Sequence, residues 1–358
     1  MIVRILVITA VSSVVLFMIV LLIMRYYPPV GRLPGREKQK EYAQKCRLYY
    51  DNHFHNENDY SIMTGKRSKA GERTKPEKRI PVRKIETVEH AGSDEMRVVW
   101  LGHSSALVQM GERNILLDPM LGEYCSPVGI PGMKRFSDIP LTAENMPGID
   151  VLFISHDHYD HLDHASIKAI DSKVNHYIVP LGVDVILSGW GINEDKLHAL
   201  EWWESLELDG ITYTLIPSQH SSFRNPMHAY STLWGGIYIR NDRHSLYFTG
   251  DCGYCDVFTK VHECFGETEL MLADSGQYND AWAQTHMTPE QAVQAAKDAH
   301  AAWLMPVHWG AFRLSTHPWD DPPKRALKAA AEQGVSLVLP EIGQMVYCDN
   351  ISSCTEHW

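Results

Sequence analysis

The stretch 156–161, which reads HDHYDH, constrains this chain more than any other part of the sequence. It offers three imidazoles and a carboxylate at the spacing of metal ligands, directly after a short apolar run. Residues two apart in extended chain face the same side, so His156 and His158 are expected to share one ion. Asp160 and His161, beyond the turn, can reach a second ion. Because these groups suit a cation such as Zn²⁺, the pattern predicts a binuclear metal site rather than a His-rich surface loop.

Composition limits the classes of protein to consider. The chain has 358 residues, of which 44% are hydrophobic and 22% charged, and its formal net charge is −11. These values are ordinary for a globular protein of one large domain or two. Nucleic-acid binding needs a basic face, so the acidic balance argues against a nucleic-acid partner but leaves room for a local basic patch. The seven cysteines have no regular spacing and indicate a reducing compartment rather than a disulfide framework.

The N-terminus has a different character. Residues 5–24 contain no charge, and twenty apolar residues can cross a hydrocarbon core. We therefore predict a transmembrane anchor over residues 1–27, with an N-terminal signal peptide as the alternative. Positive charges follow this segment more densely than they precede it. The predicted localisation is a single-pass membrane protein with its catalytic body in the cytoplasm.

Residues 28–94 are polar and are predicted to be a linker before a hydrolase domain at 95–350. A basic run lies within this linker: Lys66, Arg67, Lys69, Arg73, Lys75, Lys78, Arg79, Arg83 and Lys84. It has two interpretations. One is a solvated linker, and the other is a patch attracted to anionic lipid headgroups.

The body alternates short apolar strands with helices. A β-meander is predicted over 96–101, 105–110 and 114–117, followed by a loop at 120–148 that could cover the site. Further strands are predicted at 176–180, 210–217, 233–240, 245–248, 270–273, 303–307, 335–339 and 345–347. Helices are predicted at 162–170, 184–187 and 324–333, and another begins at Thr288 with a capping box. The predicted fold class is α/β (α+β), a four-layer αββα sandwich.

A binuclear site needs more ligands than one turn supplies, and three strand ends offer them. His220 follows the strand that ends near Ile216, Asp251 stands between Gly250 and Cys252, and His308 ends the strand 303–307. Each alone is typical of a structural residue. Following HDHYDH in this order, they are predicted to complete the metal site.

These motifs resemble the metallo-β-lactamase superfamily, and within it the branch of N-acylphosphatidylethanolamine-hydrolysing phospholipase D and its bacterial relatives. The resemblance covers about residues 95–348. It also includes these segments: WLGHS at 100–104, LDP at 117–119, VPLG at 179–182, WWE at 202–204, LWG at 233–235 and HWG at 308–310. Ser104, Ser105 and Cys252 depart from the branch pattern, which leaves the exact substrate open.

The resemblance implies two Zn²⁺ ions per chain. It assigns His156, His158 and His220 to one ion. Asp160, His161 and His308 go to the other, and Asp251 bridges the two. Cys252 and Cys255 form a CxxC beside Asp251, which is interpreted as packing, with a redox role as the alternative.

The same resemblance implies a mechanism. A hydroxide held between two zinc ions would attack the phosphorus of a phosphodiester. Asp160 is the expected orienter of that hydroxide. His286, just before a helix N-terminus, is the candidate that protonates the leaving group, with a capping or surface role as the alternative. His103 and Asp118 are expected to orient ligands from behind.

Three functions compete at this stage. The first is a membrane-associated phosphodiesterase acting on a phospholipid such as N-acylphosphatidylethanolamine. The second is hydrolysis of a soluble lactone, lactam or thioester at the same site, and the third is a nuclease, which the net charge disfavours. The partners expected are a phospholipid or another small-molecule ester and the membrane, with a homodimer as one assembly.

Overall fold

The computed structural model describes residues 2–58, 60–66, 68–69, 71–225 and 229–353. The helices are α1 (Ile2–Tyr26), α2 (Arg36–Lys45), α3 (His164–Ile170), α4 (Val183–Gly189), α5 (Val257–Phe265), α6 (Pro289–Asp298) and α7 (Asp321–Gln333). The first eight strands are β1 (Tyr49–Tyr50), β2 (His53–Phe54), β3 (Met96–Gly102), β4 (Ser105–Met110), β5 (Arg113–Leu117), β6 (Ile149–Phe153), β7 (Val174–Pro180) and β8 (Leu197–Leu200). The others are β9 (Ser205–Leu208), β10 (Ile211–Ile216), β11 (Gly236–Arg240), β12 (Ser245–Phe248), β13 (Thr268–Asp274), β14 (Ala301–Val307) and β15 (Met345–Tyr347).

Two mixed sheets form the centre of the fold. One has the order β15-β3-β4-β5-β6-β7-β8 and the other β14-β13-β12-β11-β10-β9. In the first sheet β5 to β8 run parallel, and in the second β12 to β14 do so. Since the carboxyl ends of parallel neighbours meet at one edge, each sheet gathers several loops at the same place.

The core lies between the two sheets. Alternate side chains of β3 point to opposite faces, so Val98 joins the core between the sheets and Val99 joins the cluster on the outer face. Phe153 of β6 meets Phe248 of β12 edge to face, with ring centroids 6.2 Å apart. Both faces of these strands are covered, which explains why they read as continuous apolar runs.

Helices cover the outer faces. α3 and α4 contribute Ile167 and Leu187 to the outer cluster of the seven-stranded sheet. α6 and α7 pack on β14 of the other sheet through small alanine side chains, among them Ala292 and Ala326. The arrangement is the αββα sandwich that the sequence predicts.

The predicted membrane anchor at 1–27 is wrong. No helix in the described part of the chain has the length and apolar character that a bilayer span requires. The single-pass localisation with a cytoplasmic body, which depended on this anchor, is corrected with it.

Part of the segment 28–94 packs against the body. Tyr42, Tyr49 and Phe54 are buried, and the rings of Tyr49 and Phe54 are 4.7 Å apart. The Phe54 amide donates to the Tyr230 carbonyl at 2.9 Å. This segment therefore contributes to the core, because its aromatic side chains are buried rather than solvated.

The basic run is partly neutralised by carboxylates of the body. Arg73 pairs with Asp320 at 2.7 Å, and Arg79 pairs with Asp138 at 2.9 Å. Arg67 lies outside the described residues. The domain boundaries at 28, 95 and 350 and the attraction to lipid headgroups stay predictions.

Candidate metal centre

The predicted ligands converge at the ends of the strands. The HDHYDH turn follows β6, and Asp251 and His308 follow the parallel strands β12 and β14. His220 stands in the loop after β10. All seven predicted ligands belong to clusters whose ligand atoms lie within 4.8 Å of one another. Tertiary structure thus brings together residues up to about 150 positions apart.

The first cluster contains three imidazoles and one carboxylate: His156, His158, His220 and Asp251. His220 Nε2 lies 3.2 Å from His158 Nδ1. The Asp251 Oδ2 atom lies 3.7 Å from His156 Nε2 and 3.8 Å from His220 Nε2. This set matches the ligand group predicted for one ion.

The second cluster contains His103, Asp160, His161 and His308. Asp160 Oδ2 lies 3.4 Å from Nε2 of both His161 and His308. Asp251 also reaches this cluster, since its Oδ1 is 3.2 Å from His161 Nε2. Asp251 therefore stands between the two clusters, as a bridging carboxylate would.

Buried atoms without hydrogen-bond partners test whether a metal fits. Buried polar groups are almost always hydrogen-bonded, yet among the described residues no well-formed hydrogen bond reaches His156 Nε2, His161 Nε2 or Asp251 Oδ1, although the last two atoms lie 3.2 Å apart. All three atoms face the common centre of the clusters. Imidazole nitrogens and carboxylate oxygens are the donors that divalent cations such as zinc take, so the residues fit a metal centre.

Burial prepares three of the imidazoles for metal binding. It lowers the pKa of His158 below its ordinary value and lowers the pKa values of His156 and His220 well below theirs. A neutral imidazole is the form that binds a metal. These three side chains are therefore neutral at physiological pH.

In the second cluster the pKa values of two imidazoles are raised rather than lowered. Burial lowers the pKa of His161, but the carboxylates of Asp251, Asp160 and Asp118 outweigh it and hold that pKa well above 6.5. For His308 burial is likewise outweighed, by Asp251 and Asp274, and its pKa rises to about 10. These carboxylates draw positive charge to the cluster, which a proton or a metal ion can supply.

Asp118 and His103 contact the predicted ligands, and the role of orienting those ligands stays a prediction for both. His161 Nδ1 donates to Asp118 Oδ2 at 2.7 Å, and the amide of Ser155 donates to Asp118 Oδ1 at 2.7 Å. His103 Nε2 lies 2.8 Å from Asp160 Oδ2. His103, Asp118 and His308 have positive φ angles of 56°, 39° and 69°, a backbone strain that is typical of functional sites.

Asp274 is a site residue that the sequence analysis missed. Its Oδ2 accepts from His286 Nδ1 at 2.9 Å and its Oδ1 accepts from His308 Nδ1 at 3.0 Å. The ring of His286 stacks near that of His308, with centroids 5.1 Å apart. His286, Asp274, Asp251 and His308 form a third cluster of ligand atoms, so His286 lies at the centre rather than on a free surface.

Arg224 secures the HDHYDH turn from outside. Its Nη1 donates to the carbonyls of Asp157 and Leu162, at 2.7 and 2.8 Å. Its Nε donates to the Pro29 carbonyl at 2.9 Å. Burial lowers the pKa of this guanidinium, but only to about 10. The group therefore stays charged at neutral pH, and its hydrogen bonds are charge-assisted.

Cys252 and Cys255 are both free thiols. Cys252 is buried, and its Sγ accepts from the Gln219 amide at 3.3 Å. Burial holds the pKa of Cys252 well above its ordinary range. Cys252 is therefore a buried thiol within the loop that carries Asp251.

A cavity of about 810 Å³ adjoins the His220 loop. Its lining includes Tyr50, His55, Asn56, Tyr60 and Tyr230. Two of these residues also hydrogen-bond the His220 backbone. Residues of the segment before the catalytic body thus form a wall of this cavity next to the His220 loop.

Sequence comparison shows the class to which this fold and site belong. Residues 113–309 match the beta-lactamase superfamily domain. The chain belongs to the metallo-β-lactamase superfamily and is a metal-dependent hydrolase of that fold.

Individual relatives and solved structures are similar to this chain to different degrees. The chain is 38% identical to an uncharacterized protein of Mycobacterium tuberculosis over 71% of this chain and 69% of the relative. It is 32% identical to N-acyl-phosphatidylethanolamine-hydrolyzing phospholipase D 1 of Caenorhabditis elegans, over 74% of this chain and 80% of the relative. Among solved structures, the isothiocyanate hydrolase from Delia radicum gut bacteria has a TM-score of 0.57 at 18% identity, covering 70% of this chain and 98% of that one. The structural likeness shows the fold alone.

Proposed function

We propose that the protein is a binuclear zinc phosphodiesterase that cleaves N-acylphosphatidylethanolamine-type phospholipids at the phosphorus–oxygen bond of the leaving group. The observation that carries the proposal is the position of Asp251 between two clusters of buried imidazole and carboxylate ligands. The relative of Caenorhabditis elegans, whose name states this activity, supports the choice of substrate.

In this proposal His156, His158 and His220 hold one ion. Asp160, His161 and His308 would hold the other, and Asp251 is available to both. When bound, the two ions supply a hydroxide nucleophile at neutral pH and positive charge for the phosphate. Side chains of the protein orient the nucleophile and protonate the leaving group.

Asp160 orients the nucleophile. Burial alone would raise the pKa of Asp160, but the charge of His161 and the hydrogen bond from His103 outweigh it and hold that pKa well below 3.8. The carboxylate is therefore ionised and can accept a hydrogen bond from the attacking water. His103 fixes its orientation through the 2.8 Å contact.

His286 acts on the leaving group. Its Nδ1 donates to Asp274, so its Nε2 is directed away from that carboxylate. An imidazole oriented by a carboxylate can deliver a proton to a leaving alkoxide. The released alcohol is then N-acylethanolamine, and phosphatidic acid is the other product.

The test offers four substrates in ¹⁸O-water. Zinc-loaded protein is incubated separately with N-acylphosphatidylethanolamine, a nitrophenyl phosphodiester, an acyl lactone and a β-lactam. We expect turnover of both diesters, with the label in the phosphate of phosphatidic acid. Turnover of the lactone or lactam alone, at full metal content, would assign the site to carbonyl hydrolysis instead.

The matched control is His286→Asn measured on two diesters. The alkoxide that leaves the phospholipid is a poor leaving group and needs protonation, whereas nitrophenolate can leave without a proton. We expect the variant to lose far more activity on the phospholipid than on the nitrophenyl ester. Equal losses on both substrates would remove His286 from the leaving-group role.

A further inference from the structure

His220 lacks the support of regular secondary structure. β10 ends at Ile216, and His220 stands four residues later in a loop. Asn56, 164 positions earlier in the chain, takes the place of a strand partner. Its Nδ2 donates to the His220 carbonyl at 2.9 Å, and its Oδ1 accepts from the His220 amide at 3.3 Å.

Two neighbours fix the orientation of the Asn56 amide. Trp234 Nε1 and the His220 amide can only donate. Both lie 3.3 Å from Asn56 Oδ1, and the Trp234 N–H is shared with the Ser218 carbonyl at 3.0 Å. The oxygen of the amide must therefore face Trp234 and the His220 amide, which leaves the nitrogen for the His220 carbonyl. Tyr60 adds a second donor to that carbonyl at 2.8 Å.

The imidazole of His220 is fixed separately. Its Nδ1 lies 3.2 Å from the Thr285 carbonyl, which can only accept a hydrogen bond. This contact places the proton on Nδ1 and leaves the Nε2 lone pair directed at His158 and Asp251. Backbone and ring anchors together determine where the ligand atom lies.

The segment that carries Asn56 is itself held firmly. Phe54 is fully buried, and its amide donates to the Tyr230 carbonyl at 2.9 Å. On the other side, Glu57 pairs with Lys260 of α5 at 2.9 Å. Both chain neighbours of the stretch that presents Asn56 are therefore anchored to other parts of the body.

We propose that Asn56 is a positioning residue for the metal ligand His220, so that the N-terminal segment is a working part of the metal centre. This inference rests on the binuclear site proposed above. Groups that orient a metal ligand change metal affinity about 10- to 100-fold when removed. The effect must fall on the ion held by His220 and leave the other ion unchanged.

The experiment compares Co²⁺ binding by the full-length wild type and Asn56→Ala. Affinities come from competition with a chelator, and the visible absorption of Co²⁺ reports the geometry of each site. We expect one of the two affinities to fall about 10- to 100-fold in the variant, with an altered Co²⁺ spectrum. Tyr60→Phe, which removes one of two donors, should give a smaller loss at the same ion.

Two controls separate positioning from general damage. Asn58→Ala changes an exposed asparagine of the same segment and should bind both ions like the wild type. In a His220→Ala background, Asn56→Ala should cause no further loss of affinity. Wild-type affinity at both ions in Asn56→Ala, or equal weakening of both, would overturn the proposal.

Other results would show that the proposed binuclear site, rather than the role of Asn56, is wrong. If the wild type binds a single Co²⁺ ion, the binuclear proposal fails, while the comparison of Asn56→Ala with wild type still tests positioning at that ion. If His220→Ala keeps full affinity for every ion, His220 is not a ligand and the inference about Asn56 fails with it.

Discussion

Asp274 accepts a hydrogen bond from His286 Nδ1 at 2.9 Å. Its other oxygen accepts from His308 Nδ1 at 3.0 Å. One buried carboxylate thus orients two imidazole rings through their Nδ1 atoms, with the Nε2 atom of each on the side away from Asp274. Asp274 therefore connects the proposed leaving-group acid, His286, to the proposed ligand His308. A shift of either ring would change the hydrogen bond that orients the other.

Asp274→Asn should therefore damage catalysis without removing a predicted ligand. An amide can accept from only one of the two rings through its oxygen and presents a donor to the other. We expect kcat to fall about 10- to 100-fold on a nitrophenyl phosphodiester. Asp280→Asn, an exposed carboxylate in the same loop, should leave kcat unchanged. An unaffected Asp274→Asn enzyme would show that neither imidazole depends on this carboxylate.

The first cluster makes a prediction about metal content. His156→Ala combined with His158→Ala removes two of the three imidazoles proposed for one ion. Elemental analysis should show a fall from about two zinc ions per chain to about one. His176→Ala, on β7 and paired with His198 instead, should retain both ions. Full occupancy in the double variant would contradict the assignment of these histidines.

Local signals explain which elements the sequence predicts well. The meander is confirmed within one residue at most ends, as β3, β4 and β5. The capping box of α6 is confirmed in detail, since Thr288 and Gln291 exchange the expected hydrogen bonds. Both features depend on residues only a few positions apart, which a sequence displays directly.

Other elements depend on distant partners. The strand predicted at 335–339 forms only one isolated bridge, between Leu337 and Leu304. The sequence analysis did not predict α5, β8 or β9. For the two strands the reason is that they are only partly buried and carry weak apolar signals. Pairing partners on other strands, rather than local composition, decide these segments.

The site shows the same division. The ligands in the HDHYDH turn stand together in the sequence, whereas Asp274 and Asn56 carry no motif. Asp274 ends β13 between the parallel strands β12 and β14. The strand-end rule that identified His308 could have found Asp274, but nothing in the sequence relates Asn56 to His220.

The 120–148 loop illustrates a further limit. Met120 and Cys125 of this loop are buried with Ala311 and Phe312, so part of the predicted cover is packed into the body. The large cavity is lined instead by the segment 48–62. The sequence did not indicate that a segment about 160 residues before His220 would line a cavity next to the His220 loop.

Arg224→Lys should destabilise the fold. A lysine ammonium cannot reproduce the fork that reaches the carbonyls of Asp157, Leu162 and Pro29. A buried carbonyl left without a donor costs about 1–3 kcal/mol, so we expect about 2 kcal/mol less stability in urea unfolding. Arg243→Lys, an exposed arginine, should change stability by less than about 0.5 kcal/mol. A stable Arg224→Lys protein would show that the turn holds itself.

Thr288→Ala tests the cap of the helix that follows His286. The Thr288 side chain accepts from the Gln291 amide at 3.3 Å. Loss of an N-cap costs about 1 kcal/mol, and thermal unfolding should show it. Thr288→Ser keeps the hydroxyl and should restore most of the stability. If serine is as damaging as alanine, the methyl packing rather than the cap is responsible.

His244 predicts how stability varies with pH. Its Nδ1 lies 2.8 Å from Glu269 Oε2 and its Nε2 lies 2.8 Å from the Asp94 carbonyl. Only the imidazolium can donate to both acceptors. Burial lowers the pKa of His244, but the Asp94 carbonyl and the Glu269 carboxylate outweigh it and raise that pKa above 6.5.

A raised pKa in the folded state means that folding is favoured by protonation. The contribution of His244 is complete below the unfolded-state pKa of about 6.5 and is lost as the pH rises through the folded-state pKa. His244→Gln should therefore cost more stability at pH 6 than at pH 9, by about 1 kcal/mol or less, because Glu269 remains partly open to solvent and the pair is screened. Urea unfolding at both pH values measures this difference. A loss that is the same at both would mean that His244 contributes through packing, because a neutral ring packs as well as a charged one.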